Sequence, residues 1–326
     1  MTRNIILYIS TFLLGFAGAG LIAKYGGNLK LLDIPTARSS HLTETPKGGG
    51  VGILSAFLAA SLILRLPEYF WMPTVVLSLV SFVGDRFELS PVIRLVFQFT
   101  ASIIFLFGLW KTHPNSSVGY FLIIQLALYI VGTTNFYNFM DGINGLAAIT
   151  GIVGFGLMAS YGVNSAILPA LNPLSISMAF CCAGFLPFNM PEAKVFMGDV
   201  GSILLGFVFA AMVVWYATSL SDFLCLASFL FPFYADEITT AVIRLKNREN
   251  LGRPHRKHLY QILANEYNIS HWKISLGYGI AQLVIGVFIL FFNTLGVFPI
   301  LFILIVSFCI FSALSLVLRK KLINEI

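Results

Sequence analysis

The chain has 326 residues, 58% of them hydrophobic and only 10% charged, with a net charge of +6 and a mean hydropathy of +0.88. A soluble domain carries about 25% charged residues and could not cover its surface with so few. Soluble-enzyme, nucleic-acid-binding and secreted readings are therefore excluded, and the composition is that of a polytopic membrane protein.

A spanning helix takes about 20 apolar residues. Apolar runs fall at about 4–24, 50–66, 71–84, 91–110, 118–136, 143–161, 174–190, 201–219, 223–243, 273–292 and 297–318. The predicted fold class is an all-α, polytopic integral membrane helix bundle of about 11 transmembrane helices. It forms a single domain over 1–326, because eleven spans leave no loop large enough for a second one. The run at 71–84 is short, as a tilted or partly re-entrant segment would be. Arg3, an apolar run and Ala17-Gly18-Ala19 imitate a cleavable signal, but Asn4–Tyr25 is long enough to span, and a retained first helix is expected. Cys181, Cys182, Cys225 and Cys309 all lie in apolar segments and read as buried thiols.

Charge asymmetry orients the chain. With the N-terminus periplasmic and the C-terminus cytoplasmic, seventeen of the twenty Lys and Arg fall inside, and only Arg3, Arg65 and Lys111 fall outside. The carboxylates follow, which the positive-inside bias does not require. Asp85, Asp141, Asp199 and Asp236 each sit near the inner end of a different helix. Ionisable residues at membrane depth mark function by default. Four on one face point to a metal or phosphate site served by cytoplasmic loops at about 25–49, 85–90, 137–143, 191–200 and 244–272.

Five segments carry the chemistry. The first loop runs Asp33-Ile-Pro35-Thr-Ala-Arg38-Ser-Ser40-His41, then Pro46-Lys47-Gly48-Gly49-Gly50. Its glycines beside Lys47 read either as a phosphate cradle or as a flexible helix start. Gly84-Asp85-Arg86-Phe-Glu88 sets acid and base in a short inner loop. Asn135, Asn138 and Asp141 are spaced by three, with Asn144 beyond Gly142, so a helix would put them on one stripe. Polar helix–helix glue is the plain alternative, but the row is dense for that purpose. Gly198-Asp199-Val-Gly201 puts a carboxylate between glycines at a helix start. The last large loop holds Arg244 and Arg253-Pro-His255-Arg256-Lys257-His258-Leu-Tyr260-Gln261. Zinc would want further ligands there, and so many cations suit a polyanionic phosphate ligand.

In order and in membrane side, these segments resemble the polyprenyl-phosphate N-acetylhexosamine-1-phosphate transferase superfamily. The Pro254–Gln261 ending looks most like the branch that starts O-antigen or related surface glycans. The resemblance implies an enzyme in the bacterial cytoplasmic (inner) membrane with its active site facing the cytoplasm. Its substrates would be polyprenyl (undecaprenyl) phosphate and a UDP-N-acetylhexosamine, a 6-deoxy sugar among the candidates, with UMP released. It implies Mg2+, with Mn2+ as a substitute, and leaves a homodimer open. Carried over by position, Asp85, Asp141 and Asp199 would be catalytic, with Asp199 and Asp141 on the metal. Lys47, Asn135, Asn138, Asn144, Arg244, His255, Arg256 and His258 would bind substrate. The family usually has two adjacent aspartates where this chain has Gly84-Asp85. A lipid-linked glycan flippase or another polytopic transporter is the rival reading. A secondary transporter, however, would place its charges near the midplane and between repeated halves, and neither is seen.

Overall fold

The protein is described by a computed structural model covering residues 2–35, 40, 43–87, 89–112, 120–163, 170–253 and 255–325. Arg38, His41 and Glu88 lie outside the described residues. The chain runs α1 (Thr2–Tyr25), β1 (Leu32–Asp33), β2 (Thr45–Pro46), α2 (Val51–Ile63), α3 (Glu68–Phe87), α4 (Pro91–Thr112), α5 (Tyr120–Phe139), α6 (Leu146–Val163) and α7 (Leu171–Phe185). It continues with α8 (Asp199–Tyr216), α9 (Leu220–Ala227), α10 (Phe231–Lys246), α11 (Leu259–Asn265), α12 (His271–Phe292) and α13 (Val297–Glu325). The strands form one antiparallel pair in the first loop, Leu32 opposite Pro46.

The all-α membrane bundle is as expected, and each of the eleven apolar runs coincides with a helix. Among the described residues, nine segments are long and apolar enough to cross a bilayer, α9 and α10 counting together as Leu220–Lys246. The other two are α2, with 13 residues, and α3, which carries Glu68, Asp85 and Arg86 at its ends.

Helix α8 is apolar all round and buried along nearly its whole length, the pattern of a helix at a bundle's centre. Helices α3 and α5 pack along it, and Ser78 of α3 donates to the Val200 carbonyl at 2.6 Å. The first helix is an integral part of the bundle, packed on α2 and α7. The α9–α10 span is broken by a 3-10 turn at Ser228–Leu230. There Gln282 of α12 donates to Phe229 O at 2.6 Å and to Thr150 O of α6 at 3.1 Å. Such a cross-helix bond occupies backbone groups that a broken helix would leave bare in an apolar medium.

Arg3 donates to the Ile63 carbonyl at 2.9 Å, and the Tyr69 and Thr112 hydroxyls meet at 3.1 Å. The start of α1, the end of α2, the start of α3 and the end of α4 therefore share one end of the bundle. Asp85, near the end of α3, and Asp199, at the start of α8, meet at the other. The charge asymmetry of the sequence predicts that second end to be the cytoplasmic one. On a Cys309→Ala background, Asn250→Cys should react with an impermeant maleimide only from the cytoplasmic side, and Lys111→Cys only from the opposite side. Labelling of both from the same side would overturn the topology.

Candidate active site

Two backbone segments frame the site. The N–H groups of Gly48 and Gly49 both donate to Phe196 O, at 3.1 and 2.9 Å, and that of Gly50 to Met197 O at 2.9 Å. The glycine run is thus no phosphate cradle, because its donors are spent on the 196–197 carbonyls. Its glycines serve close approach instead: a Cβ on Gly50 would lie 2.5 Å from Gly201 Cα. Gly198 has φ +73, and a Cβ there would lie 2.9 Å from both Asp85 Oδ2 and Gly48 N. Only glycine meets both conditions at little cost.

Gly198 caps α8 with no side-chain bond of its own. Asp85 supplies one from α3, accepting the Asp199 backbone N–H at 3.0 Å through Oδ2. A carboxylate at a helix start also meets the positive end of the helix dipole. The other Asp85 oxygen lies 4.0 Å from Lys47 Nζ. Both Asp199 oxygens are engaged. Asn138 Nδ2 donates to Oδ1 at 2.9 Å and also to Ser202 Oγ at 2.8 Å, and Arg94 of α4 pairs with Oδ2.

A cavity of about 420 Å³ opens over these groups, lined by Lys47, Asp85, Asn138, Asp141, Asn144 and Asp199 among the predicted residues. The regular stripe is interrupted. Helix α5 ends at Phe139, so Asp141 and Asn144 project from the turn beyond it. Asn189 holds that turn, accepting the Gly145 N–H at 2.7 Å while donating to Val195 O at 2.9 Å.

The other predicted residues line no part of this cavity. Asn135 exchanges amide bonds with Gln98, at 2.6 and 3.3 Å, and is helix–helix glue. Arg244 is buried, its guanidinium spent on the carbonyls of Asn250, Leu251 and Arg253 and on Glu249. Asp236 does not join the other three aspartates. It is fully buried and caps α11, accepting Leu259 N at 2.7 Å and Tyr260 N at 3.3 Å, with the Tyr278 hydroxyl at 2.7 Å. His258 is buried at the start of α11, with His255 at 4.8 Å between ring centres. Arg256 lies 3.8 Å from Glu266. The basic loop reaches the cavity through α11 instead. Tyr260 donates to Phe139 O at 2.9 Å, and Gln261 joins the lining.

Sequence reasoning missed Arg94, Asn189, Gln261 and His271, which all line the cavity. Arg94 counted only toward orientation, yet a cation inside an apolar run is a functional signal in its own right. His271, at the start of α12, accepts the Asn144 N–H at 3.4 Å. A lone His or Gln at a helix start gives no pattern to read.

The lining fits a hard divalent cation in its donor chemistry: three carboxylates and the amides of Asn138 and Asn144, all oxygen donors. Burial, together with the Asp199 and Asp85 charges, pushes the Asp141 carboxyl well above its ordinary range. A cation would relieve that strain. Among the described residues, no three His, Cys, Asp or Glu side chains converge on one ion position. The charge beside Asp199 is that of Arg94.

Residues 68–217 match glycosyl transferase family 4. The chain is 28% identical to an undecaprenyl-phosphate alpha-N-acetylglucosaminyl 1-phosphate transferase of Thermotoga maritima, over 94% of this chain and 96% of the relative. It is 28% identical to a decaprenyl-phosphate N-acetylglucosaminephosphotransferase of Mycobacterium leprae, over 85% and 78%. A phospho-N-acetylmuramoyl-pentapeptide-transferase of Staphylococcus epidermidis is 37% identical over 44% and 43%. The similarity is to polyprenyl-phosphate sugar-1-phosphate transferases at the level of the family.

The two loop histidines, His258 buried and His255 half-buried, are held below the ordinary imidazole range. Burial lowers His258 to about 4, helped by Arg319 and Arg244, and lowers His255 to about 4, helped by His258 and Arg244. Both are neutral at pH 7. With folded values below the unfolded value of about 6.5, the unfolded chain binds more protons between them. Their contribution is therefore full above about pH 7 and is lost as pH falls from 6.5 toward 4. A His255→Gln/His258→Gln double variant should lose less melting temperature than the native protein between pH 7.5 and 4.5. Parallel curves would refute the assignment.

Proposed function

We propose that the protein transfers an N-acetylhexosamine 1-phosphate from a UDP-sugar to polyprenyl phosphate. An oxygen of the lipid phosphate bonds the sugar-linked phosphorus, the bond from that phosphorus to the bridging oxygen breaks, and UMP leaves with the bridging oxygen. The observation that carries this reading is the meeting of Lys47, Arg94, Asp85, Asp141 and Asp199 around one polar cavity at one end of an apolar bundle. Phosphoryl transfer asks chiefly for positioning and charge neutralisation, and this lining offers both.

A second cavity, of about 600 Å³ and almost wholly apolar, lies between α5, α9, α10 and α13. Helix α5 lines both cavities, through Thr133 and Phe136 in one and Asn138 in the other. At 1.5 Å per residue, an apolar chain held in the second would lie close to chemistry in the first. Lys47 would meet a substrate phosphate, and Asn138 and Asp85 would fix the carboxylate and backbone of Asp199. Asp199 and Asp141 would hold Mg2+, or Mn2+, which would supply positive charge to the diphosphate when bound. His255, His258, Arg244 and Arg256 would act through the placement of α11 and Gln261.

The Pro254–Gln261 ending supports a role at the start of O-antigen or related surface-glycan synthesis, with an N-acetylated 6-deoxyhexose among the candidate sugars. The setting is the bacterial inner membrane, active site to the cytoplasm.

Purified protein given polyprenyl phosphate, Mg2+ and a panel of UDP-sugars should release UMP with at least one of them. Asp199→Asn should lower that rate by about 10²–10³-fold. Absence of UMP with every sugar would favour a flippase or transporter.

Gly84 tests whether a second aspartate is needed as a base. The atoms nearest a Cβ there belong to the Leu89 side chain, at 3.3 Å, so a small shift of that leucine admits the first carbon of Gly84→Asp. A phosphate monoester has a second pKa near about 6 and is mostly ionised at neutral pH. Native turnover should therefore rise through about pH 6 and then flatten. Gly84→Asp should be no faster, since another carboxylate beside Asp85 repels the attacking phosphate. A gain of tenfold or more would show that a base is required.

A further inference from the structure

The cation beside Asp199 is on an unusual perch. Arg94 lies in the first turn of α4, which begins at Pro91, where the helix dipole disfavours positive charge. Its guanidinium is held there by acceptors from other segments: Asp199 Oδ2, Leu89 O at 3.2 Å from Nε, and Gly84 O at 3.5 Å. Asn138 already donates to the other Asp199 oxygen. Each oxygen of the carboxylate thus carries an N–H donor, and one of the two donors bears a full charge. The Arg94 side chain is 34% exposed and lines the cavity, so open space lies beside it.

We infer that Arg94 is a built-in counter-ion that competes with a divalent cation for Asp199 and, once displaced, binds anionic phosphate in the cavity. The inference rests on the proposed function, because it takes Asp199 as a cation ligand. A fixed positive charge bonded to one ligand oxygen repels an arriving cation, so the empty carboxylate is kept neutralised but its cation affinity is lowered. A nucleoside diphosphate reverses that balance. Its phosphates give the guanidinium a second, bidentate partner, so Arg94 no longer opposes the metal. Cation and nucleotide binding then become mutually favourable, as linkage requires of any such coupling.

The test uses the full chain in detergent, without lipid substrate. Mn2+ binding is read from the electron paramagnetic resonance of the free ion, with and without UDP. In the native protein, binding should be abolished by Asp199→Asn and tightened by UDP. Arg94→Gln should bind Mn2+ alone about fivefold tighter than native, the upper end for a partly exposed ion pair, and should gain less from UDP. Arg94→Lys keeps the charge without the planar fork and should stay within about threefold of native for Mn2+ alone. That separates charge competition from lost packing, and melting in EDTA checks that each variant is folded. Equal or weaker Mn2+ affinity in folded Arg94→Gln, or an undiminished UDP effect, overturns the inference while leaving the metal assignment intact. If native binding does not depend on Asp199, the metal assignment fails and the inference falls with it.

Discussion

The site depends on one backbone contact: the glycine run 48–50 laid against residues 196–201. The carbonyls of Phe196 and Met197 take the N–H groups of Gly48, Gly49 and Gly50, and Gly50 and Gly201 approach too closely for a side chain on either. This contact ties the first loop to the start of α8. It sets Lys47 on one side of the cavity and Asp199 on the other, and it leaves Gly198 space only for the Asp85 carboxylate that caps the helix. Small residues that let backbones touch are the usual means of fixing geometry in lipid, where the hydrophobic effect does not drive helices together.

Around this frame the charges are arranged in opposition. Asp85 faces Lys47, Asp199 faces Arg94, and Asp141 stands nearest to having no cation of its own. Like charges gathered at a partly buried place are costly unless something bound there repays the cost. That is why the arrangement reads as a site rather than as packing. Asp236 makes the contrast: more deeply buried, it is bonded by two backbone N–H groups, Thr240 and Tyr278, and it caps α11.

Much of the fold was legible because lipid imposes a simple rule on composition. The eleven apolar runs appear as helices, with the break at Ser228 hidden inside one continuous apolar stretch. The cavity was legible where a carboxylate or amide stood beside a turn, as at Asp141, Asn144 and Asp199. It was illegible where side-chain direction decides. Asn135 has the spacing of Asn138 but faces Gln98, and Arg244 sits among polar residues but turns to its own loop. At the glycine run the sequence leaves a phosphate cradle and a flexible helix start both open, since it cannot say whether an N–H group is already engaged. Arg94 was overlooked because a charge at the edge of an apolar run serves orientation and chemistry equally well, and only its partner separates the two.

The fit of Tyr260 against Gly142 has a mechanical consequence. The hydroxyl bonds the Phe139 carbonyl, and a Cβ on Gly142 would stand 2.2 Å from it. The end of α5, the turn carrying Asp141 and the short helix carrying Gln261 are therefore keyed together and must travel as one body. Volume at the two positions is shared: bulk gained at 142 has to be surrendered at 260, so the two sites are expected to co-vary.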